Sequence, residues 1–155
     1  MKKFVFSLQG VLDIKRKLEG QAKVNFGVAR ARLNAEEEKR DAIASRRDGY
    51  RDELSAAMSG RLDVTKIKRC EDAIDVLEES LAAQEMAVNR AEKQVELMRN
   101  RLNAVVMERK TIEKLREKKF AEYMKEYDAE ERKAIDELTS YRHSQPDEDA
   151  AQGAQ

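Results

Sequence analysis

The sequence predicts an all-α fold: a long antiparallel two-helix coiled-coil hairpin, with an extended second helix and a disordered C-terminal tail. Three observations carry this reading. The composition is 40% charged and 5% aromatic with no Trp, which suits long helices and not a layered domain that needs bulky side chains to fill its core. Apolar residues recur at alternating spacings of three and four along two stretches, the signature of a helical seam. A single break, Ser59-Gly60, separates those stretches.

The first helix is expected over about residues 7–58. Ser7 is its N-cap candidate, with Phe6 and Val11 at the two positions of a hydrophobic staple. Its seam runs Leu8, Leu12, Lys15, Glu19, Ala22, Phe26, Ala29, Leu33, Glu36, Arg40, Ile43, Arg47, Tyr50, Leu54, Ala57, and ten of these fifteen are apolar. The centre is weak, interrupted by Glu36, Arg40 and Arg47. Four interior glycines, each costing about 1 kcal/mol of helix propensity against Ala, make this the helix more prone to fray.

The turn is expected at 59–63, with Gly60 taking the positive φ that closes many helix C-termini. Asp63 is the next N-cap, and Leu62 with Ile67 forms its staple. The second helix is expected over about residues 64–143. Its seam is Ile67, Cys70, Ile74, Leu77, Leu81, Gln84, Val88, Ala91, Val95, Met98, Leu102, Val105, Arg109, Ile112, twelve of fourteen apolar. Neither Gly nor Pro occurs between Arg61 and Gln145. Pro146 ends the helix by about Gln145, and the polar tail, residues 146–155, is expected to be disordered. Residues 1–145 then form one hairpin, a rod on the order of 75 Å at about 1.5 Å per residue. Leu54 pairs with Ile67 near the turn, Leu8 meets the Ile112 region, and the second helix runs on beyond its partner.

Net charge is zero, with 31 basic and 31 acidic side chains, which argues against a nucleic-acid role. The charge is nevertheless segregated. Residues 1–32 carry eight basic and two acidic groups, and residues 109–119 carry six and two. Residues 33–88, which hold the turn, carry nine and fourteen. Such asymmetry biases encounters with charged partners. No apolar run approaches a membrane span, and the opening residues are too short for a secretory leader. The chain is expected to be cytoplasmic.

The residues offer no catalytic centre. His143 is the only His and has no second ligand or base beside it. Cys70 falls on the seam and reads as a small buried apolar residue. No Gly-rich phosphate loop is present, so the chain is not expected to bind a nucleotide; no other small-molecule substrate, cofactor or metal is expected. Three clusters are candidate contact sites instead. The first is the aromatic stripe Phe120, Tyr123, Tyr127 on the second-helix extension, open to a partner unless a bent first helix or a second molecule covers it. The second is the basic block Arg109, Lys110, Lys114, Arg116, Lys118, Lys119, suited to an acidic protein surface or anionic lipid. The third is Ala73, Leu77, Ser80, Gln84 near the turn, where Leu77 and Gln84 are also seam positions.

Two segments carry a family resemblance. The opening Phe4-x-Phe6-Ser7-Leu8-Gln9-x-Val11-Leu12-Asp13 resembles the start of the flagellar export protein FliJ family. The segment Glu108-Arg109-Lys110-Thr111-Ile112-Glu113-Lys114-Leu115-Arg116-Glu117-Lys118-Lys119 resembles that family's second signature, followed by an aromatic and acidic stretch and by Asp136-Glu137-Leu138. The resemblance spans roughly residues 4–142. It implies a non-enzymatic component of the flagellar type III export apparatus, similar in shape to the central stalk of rotary ATPases. Its implied partners are the export ATPase ring and the cytoplasmic domain of the export gate, and a role in handling export chaperones is also attributed to the family. On this resemblance the basic block and the aromatic stripe face the ATPase, and Ala73, Leu77, Ser80 and Gln84 face the gate. It also implies peripheral association with the inner membrane at the flagellar base and a monomer when free. The alternatives from the residues alone are a generic coiled-coil scaffold or tether, expected to be a homodimer, and a holdase chaperone.

Overall fold

The computed structural model describes residues 3–144. Two helices account for nearly all of them, α1 (Gln9–Met58) and α2 (Val64–Ser144), and no strand occurs among the described residues. They pack as an antiparallel coiled-coil hairpin. The tail expected to be disordered, residues 146–155, lies outside the described residues, as does Pro146. By contact density the chain falls into two units: Met1–Asp13 with Arg109–Gln155, and Ile14–Glu108.

In the unit Ile14–Glu108 the antiparallel register is read directly from cross-helix bonds. Lys15 Nζ meets Glu108 Oε2 at 2.6 Å, and Arg51 Nη2 meets Glu78 Oε1 at 2.7 Å. Gln84 Nε2 donates to the Glu36 backbone carbonyl at 2.9 Å. Each step back along α1 is matched by a step forward along α2. The buried residues of this unit are Glu19, Ala29, Cys70, Leu77, Val88 and Val95, and all six are seam positions. In the same unit every remaining seam position of either helix is partly buried. The Cys70 thiol lies within the seam and donates weakly to Glu53 Oε2 at 3.9 Å.

The polar residues that interrupt the α1 seam each find a partner. Lys15 takes Glu108, and the buried Glu19 takes Lys23 at 2.9 Å. Glu36 takes Gln84 and Lys39. Arg40 takes Asp41 at 3.1 Å and reaches Glu85 at 4.0 Å, and Arg47 takes Asp48 at 3.1 Å. No buried side-chain polar atom is left without a hydrogen bond among the described residues. This matters because an unpaired buried polar group costs about 1–3 kcal/mol.

The turn departs from expectation. Among the described residues no Gly has positive φ, so α1 does not close through a left-handed Gly60. Instead Ser59 Oγ donates to the Ala56 carbonyl at 3.1 Å, satisfying one of the helix-end acceptors that have no intrahelical donor. The start of α2 is as the sequence suggests. Asp63 Oδ1 accepts the Lys66 amide at 3.3 Å, and the Asp63 carbonyl closes the first helical bond to Ile67 at 3.0 Å. The expected staple is not enclosed, because Leu62 remains 67% exposed.

In the unit Met1–Asp13 with Arg109–Gln155, the first helix also begins later than the Ser7 cap implies. The Gln9 amide donates to the Phe6 carbonyl at 3.1 Å, and the first helical bond runs from the Leu12 amide to the Leu8 carbonyl at 3.0 Å. Leu8 thus holds the cap position and Ser7 lies in the preceding turn. The reason is burial. The turn sinks Phe6 and leaves Leu12 fully enclosed, whereas Val11, the expected staple residue, stays exposed. Along α2 of this unit every residue from 128 to 144 is exposed.

Two predictions test this account. A Cβ added at Gly27 or Gly49 meets nothing within 4 Å, so the pair Gly27→Ala and Gly49→Ala is expected to stabilise the chain by about 1–2 kcal/mol in total, read as a higher urea midpoint. Glu19→Leu replaces a buried ion with an apolar seam residue of similar size. Its urea midpoint is expected to equal or exceed that of the wild type, since the desolvation cost of the buried carboxylate is removed while Lys23, 63% exposed, stays solvated.

Candidate contact surfaces

The aromatic stripe and the basic block both lie in the unit Met1–Asp13 with Arg109–Gln155, which joins them to the opening residues. The Phe4 ring meets Phe120 edge-on at 5.2 Å between centroids and Tyr123 at 5.5 Å, tilted. Phe120 and Tyr123 stack at 6.3 Å, and Tyr123 leads to Tyr127 at 6.2 Å. The N-terminal segment therefore covers part of the stripe. Tyr123 and Tyr127 are partly buried, while Phe120 remains 48% exposed. Phe4 is a member of this cluster that the sequence reading did not assign to it. The signal was the Phe4-Val5-Phe6 triplet and its antiparallel register with Phe120.

The basic block is not uniform. Arg109 Nη1 is held by Glu113 Oε2 at 2.5 Å and Lys119 Nζ by Glu122 Oε2 at 2.9 Å. The Lys119–Glu122 hydrogen bond raises the Lys119 pKa and lowers that of Glu122. Lys110, Lys114, Arg116 and Lys118 are exposed and have no ion-pair partner among the described residues. Arg116 lines an open recess of about 330 Å³ with Lys3, Phe4, Val5, Phe6 and Gln9. The surface thus sets one free cation, Arg116, beside an apolar and aromatic patch.

The stripe near the turn lies in the unit Ile14–Glu108 and is partly occupied by the hairpin itself. Leu77 is buried and Ala73 partly so. Gln84 Nε2 donates both to the Glu36 carbonyl and to Glu36 Oε2, the latter at 2.5 Å. That bond, followed by the one from Lys39, holds the Glu36 pKa below its usual value. Ser80 is exposed, and so is Val76, between Ala73 and Ser80 on the same side of the helix. Met58, Leu62 and Val64 are also exposed at the turn. The sequence reading passed over them because capping rules place Leu62 in a staple.

Among the described residues no group of His, Cys, Asp and Glu could hold a metal ion, and no helix is long and apolar enough to cross a membrane. His143 is exposed on α2. What the fold defines is a helical hairpin whose outer faces carry exposed apolar and charged side chains.

The chain matches the flagellar FliJ protein family over residues 4–148 and belongs to it. It is thereby a component of the type III export machinery of the flagellum. Among solved structures it is similar to a YscO homologue from Chlamydia trachomatis, with a TM-score of 0.56 and 22% identity, covering 91% of this chain and 96% of that one. At that identity the likeness bears on the fold alone. No curated protein matches the chain.

The Gln84–Glu36 bond has a pH consequence. A carboxyl whose folded pKa is lowered stabilises the fold at pH values above its unfolded pKa, and that contribution is lost as pH falls through the lowered folded value. Gln84→Leu is expected to move the Glu36 pKa back up toward the ordinary carboxylate range, read by carbon-detected NMR titration. An unchanged Glu36 titration would show that the cross-helix bond is not formed in solution.

Proposed function

We propose that this chain is a non-enzymatic, stalk-like coiled coil that binds the flagellar export ATPase ring, stimulates its assembly or turnover, and links it to the cytoplasmic domain of the export gate. It acts at the cytoplasmic face of the inner membrane at the flagellar base, and handling of export chaperones belongs to the same role. The observation that carries the reading is the grouping of four exposed, unpaired cations, Lys110, Lys114, Arg116 and Lys118, in one unit with the Phe4–Phe120–Tyr123–Tyr127 cluster. Free cations steer an acidic partner from a distance, and a half-exposed aromatic supplies the anchor that charge alone does not.

In this reading Arg109 and Lys119, already paired on their own helix, orient the surface, and the four free cations with Phe120, Tyr123 and Tyr127 meet the ATPase. The gate contact falls on Ala73 and Ser80 with the exposed Val76 between them. Leu77 and Gln84 support it from within the seam. A hairpin that touches two machines with different surfaces couples their states through its binding energy.

The test is to add the protein to the export ATPase of its own organism and follow hydrolysis and ring assembly across a salt series. Affinity is expected to fall as salt rises, because exposed charge contacts are screened over about 8 Å at physiological ionic strength. Arg116→Glu with Lys118→Glu is expected to weaken binding about tenfold or more. Equal affinity at low and high salt removes the basic surface from the interface. A lack of any effect on hydrolysis and assembly removes the stalk role itself.

A further inference from the structure

The turn half of the hairpin is acidic as a whole, but its end is not. Residues 58–69 carry Arg61, Lys66, Lys68 and Arg69 against Asp63 alone. The four cations are exposed and have no ion-pair partner among the described residues. Asp63 accepts the Lys66 amide as the α2 cap. Every residue from Met58 to Lys66 is exposed, and Met58, Leu62 and Val64 are 53%, 67% and 73% exposed. Three aliphatic side chains thus stand in water at the end of the unit Ile14–Glu108, among free cations.

The arrangement is directional. Side chains on a helix tilt toward its N-terminus. The second helix starts at the turn, so Val64, Lys66, Lys68 and Arg69 lean toward the end of the hairpin. The first helix finishes there, so its nearest carboxylates, Asp52 and Glu53, lean back from it. At about 100° per residue, Lys66 and Lys68 fall to either side of the seam residue Ile67, and Arg69 falls on the outer side of the helix. The cations therefore ring the end of α2 and do not line one face of it. A partner lying alongside would meet only part of that ring, whereas a flat anionic surface met end-on engages all of it. Residues 70–88 carry six acidic and no basic side chains. The same surface repels them, which disfavours a hairpin lying flat.

The apolar component selects the kind of surface. Met58, Leu62 and Val64 project and enclose nothing, and no aromatic ring lies among them to anchor in a protein pocket. Aliphatic side chains at a protruding tip enter the interface of a bilayer, while Lys and Arg beside them meet its anionic headgroups. Beside Val64 an open recess of about 370 Å³ is lined by Thr65, Lys68, Arg69 and Asp72. There the two cations and the hydroxyl offer donors to a headgroup phosphate.

We infer that the turn of the hairpin is a membrane contact: Leu62 and Val64 enter the interface of an anionic bilayer, and Arg61, Lys66, Lys68 and Arg69 bind its headgroups. Such a contact gives the membrane-face location proposed above, on which it rests, its residues and its lipid chemistry.

The test is sedimentation of the full chain with vesicles of phosphatidylglycerol and phosphatidylcholine in equal parts, against vesicles of phosphatidylcholine alone. Binding is expected to the anionic vesicles only, and is expected to fall as salt rises. Lys68→Glu with Arg69→Glu is expected to weaken it at least tenfold, since each cation at an anionic surface contributes about fivefold. Leu62→Ser with Val64→Ser is expected to weaken it about tenfold. All four positions are exposed, and circular dichroism checks that each variant stays helical. The chain has no Trp, so Leu62→Trp is a single reporter. Its emission is expected to shift to the blue on the anionic vesicles, and that of Leu138→Trp is not. Three results overturn the inference: equal binding to neutral vesicles, a Leu62→Trp emission that does not move, or binding that survives the tip variants and is lost in Arg116→Glu with Lys118→Glu. No binding to anionic vesicles overturns it too, and leaves the turn to an acidic protein surface. Stimulation of the ATPase in solution needs no bilayer, so it is read separately and decides the stalk role alone.

Discussion

A two-helix hairpin has a core one seam wide, and every other property of this chain follows from that constraint. There is no second layer to bury a misplaced side chain, so each seam position is either apolar or paired. In the unit Ile14–Glu108 the apolar burial is concentrated at Ala29, Cys70, Leu77, Val88 and Val95. The polar seam residues of α1 are all satisfied, by a neighbour on their own helix or by a residue across the seam. The ion pairs at the seam's edges add little stability individually, about 0–1 kcal/mol for an exposed pair. Their value is in register. A one-step slip of α2 against α1 would strand Glu36 opposite an apolar side chain and leave Lys15 without Glu108.

The same constraint leaves the outer faces unused by folding. A globular core consumes most large apolar side chains, whereas this hairpin leaves Val5, Leu62, Val64, Val76 and Met107 each more than half exposed. Surface of this kind is the raw material of docking. The charges follow the same logic. Cations that folding required to be paired, such as Arg109, are paired, and those at Lys110, Lys114, Arg116 and Lys118 are not. The division between structural and available charge can be read residue by residue along one helix.

Most of the fold was legible in the sequence because a coiled coil writes its packing as a period. Spacings of three and four named the seam positions, and in the unit Ile14–Glu108 every one of them is buried or partly buried. The capping residue of α2, Asp63, was legible because its side chain acts locally on the Lys66 amide. What was not legible lay where local rules compete with burial. Ser7 has the chemistry of an N-cap, but enclosing Phe6 and Leu12 moves the helix start to follow Leu8. Gly60 has the freedom for a left-handed cap, yet Ser59 satisfies the Ala56 carbonyl and the chain turns without positive φ. The aromatic stripe was visible as spacing, but its cover was not. Phe4 reaches Phe120 and Tyr123 across more than a hundred residues of sequence.

The sequence by itself determined the fold class, the antiparallel pairing and the hidden seam of the unit Ile14–Glu108, since these depend on the periodic placement of apolar side chains and on one short break. Only the tertiary structure decided which polar side chains are already spoken for. Gln84 is bound to Glu36, Leu77 is enclosed and Phe4 lies on the aromatic stripe, while Arg116 stays free. Whether a side chain is available depends on what the other helix places beside it, and no pattern within a single helix contains that information.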